Sequence, residues 1–171
     1  KAIQRPAVYA FYVGSLSGVA IVIWPLGFVR QPMVEILWLS AAIASTYILS
    51  ILFLYKSLKI AEASDVAPVT GAIAAIATFL FSLWILKSSL PANFLIGFVL
   101  LVAGTVLMSH LRLGRMAAWY AILAGVMFGL SSIFVKIIFT RTDFLDGFFW
   151  SRMANVAGAL VLLVWPSNFR A

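Results

Sequence analysis

The sequence predicts an all-α fold: a polytopic membrane helix bundle with six transmembrane helices. Three observations carry that expectation. Of 171 residues, 64% are hydrophobic and 10% charged, whereas a soluble domain is nearer half apolar and about a quarter charged. Mean hydropathy is +1.12, an excess that one aqueous core of this size cannot hide. The apolar residues also gather into long runs separated by short polar joints, with nothing alternating at the period of a barrel strand.

The runs, in order, are Ala7–Val29, Glu35–Tyr55, Ala67–Leu86, Ala92–His110, Met116–Phe139 and Phe144–Trp165. Each holds about 20 residues, the length that crosses a hydrocarbon core of about 30 Å. The links Arg30–Val34, Lys56–Val66, Lys87–Pro91, Leu111–Arg115 and Thr140–Asp143 are short. Short links make neighbouring helices antiparallel. The joint from Lys56 to Asp65 is the most polar of them, and Pro68 is expected in the first turn of the helix that follows. Gly14 with Gly18, Gly125 with Gly129, and Gly97 with Gly104 are expected at helix contacts, because small residues let backbones approach in lipid.

Composition also excludes. The formal net charge is +7, but the basic residues stand singly between apolar runs, as loop anchors do, so nucleic acid is not an expected partner. There is no cysteine and one histidine, His110, so zinc sites and Ser–His schemes lack parts. No carboxylate lies deep in a run and no phosphate-binding loop occurs. Neither an enzyme nor a bound cofactor is expected. The basic residues on the Lys1 side outnumber those opposite, and by that bias the Lys1 side is cytoplasmic. The chain begins at Lys1 without a methionine, which is read as a piece of something longer.

Two runs end alike, Trp24-Pro25-Leu26-Gly27-Phe28 and Trp165-Pro166-Ser167-Asn168-Phe169, at an interval of 141 residues. That interval fits five helices with short loops, and an odd number of crossings inverts the second copy. The stretch from Tyr55 to Pro68, YKSLKIAEASDVAP, resembles the joint between the third and fourth helices of the EamA-type drug/metabolite transporters. Ile96–Leu107 is similar to that family's fifth helix, and Ala118–Gly125 to the opening of its second repeat. The resemblance implies a ten-helix, inverted-repeat transporter in a bacterial or archaeal plasma membrane. The six runs then match helices two to seven: residues 1–110 give most of a first repeat and 111–171 the start of a second. It also implies the opposite orientation from the charge count.

Arg152 stands about eight residues into the sixth run, where a charge is costly and faces a cavity or a partner. It is read as an anion contact in a transport path, as a side chain snorkelling to the interface, or as one paired with Asp146 or Asp143. Asn155, Trp150, Tyr12, Thr70 and Ser131 are the further candidates for a small-molecule site, with Asn155 the most expensive to leave unpaired. Most other hydroxyls are expected to bond backbone carbonyls. Glu35, Glu62 and Asp65 are expected to complement helix N-termini. The expected function is secondary transport of a small organic metabolite or drug, alone or as a homodimer. The alternative is a six-helix membrane scaffold with a dry, fully paired interior.

Overall fold

A computed structural model describes residues 6–27, 29, 34–87, 92–108 and 113–161. Among these no strand occurs, and six α-helices follow one another: α1 (Pro6–Leu16), α2 (Val34–Ile60), α3 (Ala63–Ile85), α4 (Ala92–Met108), α5 (Arg115–Arg141) and α6 (Phe144–Val161). The all-helical expectation is met.

The first run is not one α-helix. α1 stops at Leu16 and a 3₁₀ helix continues from Ser17 to Leu26. Val19, Ile21 and Val22 lose side-chain freedom in an α-helix, and Pro25 has no N–H to return to an earlier carbonyl. The run ends at Gly27, whose φ of +74° suits glycine and whose N–H donates to the Trp24 carbonyl at 3.2 Å. The polar joint is also shorter than expected. α2 runs on through Lys56 and Lys59, leaving only Ala61 and Glu62 between it and α3. The Glu62 carbonyl accepts from the N–H groups of Asp65 and Val66, both at 3.1 Å, so α3 starts early and Pro68 falls in its second turn. A proline there forfeits one helical hydrogen bond.

The chain packs as two units: the described residues within 50–130, and those within 6–49 and 131–161. In the first unit Gly125 and Gly129 meet α3. A Cβ at Gly125 would stand 2.8 Å from the Ile73 side chain, and one at Gly129 2.7 Å from Ala77. The Ser57 hydroxyl donates to the Ala117 carbonyl at 2.8 Å, fixing α2 against α5. Phe79 stacks on Phe98 between α3 and α4. Gly97 and Gly104, expected at a contact, face open space instead.

In the second unit Ile36, Ile43 and Ala44 of α2, Ile138 of α5 and Ala154 of α6 form the buried core. Gly158 lies against Ala44 and Ile48 of α2, and Gly14 against Ala159 of α6. Glu35, in the first turn of α2, forms an ion pair with Arg141 in the last turn of α5. Its expected place at a helix start holds, and the partner is an addition.

Much apolar surface faces outward. Trp84 is 80% exposed and Leu107 83%, and Trp24, Trp38 and Trp119 are exposed near helix ends, the positions of interfacial tryptophans. α2, α3 and α5 are long and apolar enough to cross a membrane. On length and composition they mark the chain as a membrane protein. Of the six spans expected, these three meet that criterion; α4 holds 17 residues and α6 18.

Candidate functional site: a cation in an apolar cavity

The site grows from α6. Asp146 sits in its first turn, where a carboxylate complements the helix N-terminus, and the Gly147 N–H bonds the Asp143 carbonyl at 2.9 Å. Gly147, Ser151, Ala154, Asn155 and Gly158 recur at intervals of three and four and are buried. That face is small and polar because it is where neighbours come closest. A Cβ at Gly14 would lie 2.5 Å from the Ala159 Cβ and 3.0 Å from the Asn155 carbonyl. The Ser151 hydroxyl is satisfied within the helix, donating to the Phe148 carbonyl at 2.9 Å. Ser45 and Thr46 likewise donate to the carbonyls of Ala41 and Ala42, as expected of membrane hydroxyls.

Arg152 projects from the more exposed side of α6. Its guanidinium carbon lies 5.2 Å from the centroid of the Phe148 ring, one turn back on the same helix. That is cation–π distance. Among the described residues no carboxylate forms an ion pair with it, so neither Asp143 nor Asp146 plays that part. Arg152 and Phe148 instead form one wall of an open cavity of about 500 Å³. The other wall is α1 and the 3₁₀ helix, through Val13, Leu16, Ser17, Val19 and Ala20. Leu16 and Val19 are exposed at its mouth, and Ala20 is buried.

Asn155 lies three residues on from Arg152 and is only 5% exposed. Its Oδ1 has no hydrogen-bond partner, a state that costs about 1–3 kcal/mol. Trp150 packs on the α2–α5–α6 core and meets Trp24 edge-on, with centroids 6.5 Å apart. Arg152, Asn155 and Trp150 thus share one helix, though only Arg152 lines the cavity. Tyr12 is 63% exposed and rests edge-on against Phe11, outside the lining although its neighbour Val13 belongs to it. Ser131 is buried on α5. Thr70 belongs to the other unit, where its buried Oγ1 has no partner and its carbonyl faces Gly125. Lys136 is exposed on α5, and His110 lies outside the described residues.

Sequence reasoning missed Phe148 and the wall on α1 and the 3₁₀ helix. For Phe148 a signal existed, since residues four apart on a helix are neighbours and an aromatic there backs a cation. Among the described residues no cluster of histidine and carboxylate side chains has the makings of a metal site.

The fold and the site together define a helical membrane protein with an open, mostly apolar cavity and one cation in its wall. No family model matches the chain, no curated protein matches it, and no solved structure matches it.

Proposed function

We propose that the chain is part of an integral membrane secondary transporter of the EamA type, moving a small organic metabolite or drug by alternating access. One observation carries this reading: Arg152 lines a cavity with no carboxylate partner among the described residues, three positions from Asn155, whose buried Oδ1 has no hydrogen-bond partner. Such groups cost stability in an apolar bundle and are kept for what they do. A scaffold with a dry interior has no use for them.

In this reading all six helices cross the membrane of a bacterial or archaeal cell. α1 and the 3₁₀ helix count as one span, since 11 and 10 residues at their respective rises reach about 36 Å together. That composite helix and α6 are equivalent members of two inverted repeats, divided near residue 110. Equivalent helices an odd number of crossings apart run antiparallel, and the contacts have that sense. Gly14 lies against Ala159, Gly18 against Val156, and Trp24 against Phe149. The residues related by the 141-residue interval, Leu16 and Ala157, fall inside this packed stretch. Rocking at that seam alters the cavity between the two helices, which is how access alternates.

The test is uptake or efflux by the complete protein carrying Arg152→Ala. Arg152 is exposed and rests on a ring face, so the variant is expected to fold with unchanged thermal stability and to lose most of its transport. Unchanged kinetics at unchanged stability remove Arg152 from the transport path.

A further inference from the structure

The cavity on α6 carries more chemistry than the word metabolite conveys. We infer that it takes an amphipathic anion: a carboxylate or phosphate held by Arg152, carried on an apolar body that lies along Val13, Leu16, Val19 and Ala20. This rests on the transport reading only for what happens after binding.

The guanidinium decides the sign. The guanidinium carbon lies over the Phe148 ring, 5.2 Å from its centroid, and the N–H donors of a guanidinium lie in its own plane. In-plane donors match the two oxygens of a carboxylate or phosphate, forming paired charge-assisted bonds. No carboxylate of the described chain competes for them. Among the described residues no acidic side chain lines the cavity, so a cationic ligand would meet the repulsion of Arg152. A neutral ligand would leave the guanidinium unused.

The remaining walls decide the body. Among the described residues the lining offers one polar side chain besides Arg152, Ser17, together with Phe148 and aliphatic carbon. About 500 Å³ is the size of a small-molecule pocket. Two of the lining residues, Leu16 and Val19, are exposed apolar side chains. An apolar tail longer than the cavity therefore extends over hydrocarbon. Two sources supply such an anion: a free aromatic or aliphatic acid, and an anionic lipid entering from the bilayer.

The full chain in phosphatidylcholine nanodiscs, with and without phosphatidylglycerol, separates them. The probes are phenylbutyrate and its neutral amide, phenylbutyramide, titrated calorimetrically, with bound lipid read by native mass spectrometry. Phenylbutyrate is expected to bind about tenfold or more tightly than the amide, the difference a charge-assisted pair makes. Arg152→Gln abolishes that preference, Arg152→Lys keeps part of it, and Val19→Trp weakens the acid by narrowing the mouth. Phosphatidylglycerol that displaces the acid and stays bound in an Arg152-dependent way identifies the lipid as the source; indifference to it identifies the free acid. Equal affinity for acid and amide, or an Arg152→Gln protein that binds acid and lipid as before, overturns the proposal. Proteoliposome counterflow keeps the two readings apart. Arg152-dependent binding without counterflow sinks the transporter and leaves the anion site standing. Counterflow that persists in Arg152→Gln, with acid and amide bound equally by the parent, does the reverse.

Discussion

Asn155, Ser40 and Thr70 each bury an oxygen that has no partner, while Ser57 buries one that bonds the Ala117 carbonyl at 2.8 Å. The contrast separates structural from functional polarity. Removing the Ser57 hydroxyl takes away a bond worth about 0.5–1.5 kcal/mol, so Ser57→Ala is expected to lower thermal stability by that much. Asn155→Ala removes an unpaired acceptor, and the relief of about 1–3 kcal/mol offsets the small void left behind. Its stability is expected to stay within about 1 kcal/mol of the parent or to rise. A steep loss of stability in Asn155→Ala, read by thermal unfolding in detergent, makes Asn155 a packing residue. Arg152 and Asn155 were legible in the sequence because polarity stands out in an apolar run. Phe148 is harder to find: its only mark in the sequence is its place four residues before Arg152, among the equally apolar Phe144, Phe149 and Trp150.

At the level of the helix, small residues mark contacts but do not name the partner. The pairs Gly14/Gly18 and Gly125/Gly129 were read as contacts and pack on α6 and α3; Gly97/Gly104 had the same look and opens on empty space. One helix's sequence gives a smooth stripe, and whether a neighbour occupies it is settled elsewhere in the chain. The 3₁₀ helix was illegible for a similar reason: its β-branched residues are as apolar as leucines, and only their stiffness distinguishes them. Alanine substitutions test the packing. A Cβ at Gly129 would lie 2.7 Å from the Ala77 Cβ and 2.9 Å from the Thr78 nitrogen, and backbone cannot step aside as a side chain does. Gly129→Ala is expected to cost about 1–3 kcal/mol. Gly97→Ala meets nothing and should be neutral, or stabilising by up to about 1 kcal/mol through lower backbone entropy. Reversible unfolding in mixed micelles reads both; equal effects would mean the α3–α5 contact is not where these distances put it.

For the whole chain the open quantity is how many helices cross the bilayer, and the lengths of α2, α3 and α5 fix only three. The remainder turns on α4, α6 and the composite first helix. The sequence reading of six spans rests on apolar runs of about 20 residues, two of which extend past the described ends of α4 and α6. Since the chain contains no cysteine, single cysteines report sidedness without background. The informative positions are Glu62 between α2 and α3, Lys87 after α3, Gly114 before α5 and Thr142 between α5 and α6. If every helix crosses, Glu62→Cys and Gly114→Cys react with an impermeant maleimide from one face, and Lys87→Cys and Thr142→Cys from the other. If only the three long helices cross, α4 returns to the face it left: Lys87→Cys then labels with Gly114→Cys, and Glu62→Cys with Thr142→Cys. The six-span pattern is the expected one, because α4 carries no charge from Ala92 to Met108 and exposes Ile96, Val99, Leu100 and Leu107, a surface with no solvent but lipid to face. The same labels settle orientation. Glu62→Cys reactive from inside the cell follows the excess of lysine and arginine on the Lys1 side, and reactive from outside it follows the orientation implied by the Tyr55–Pro68 resemblance.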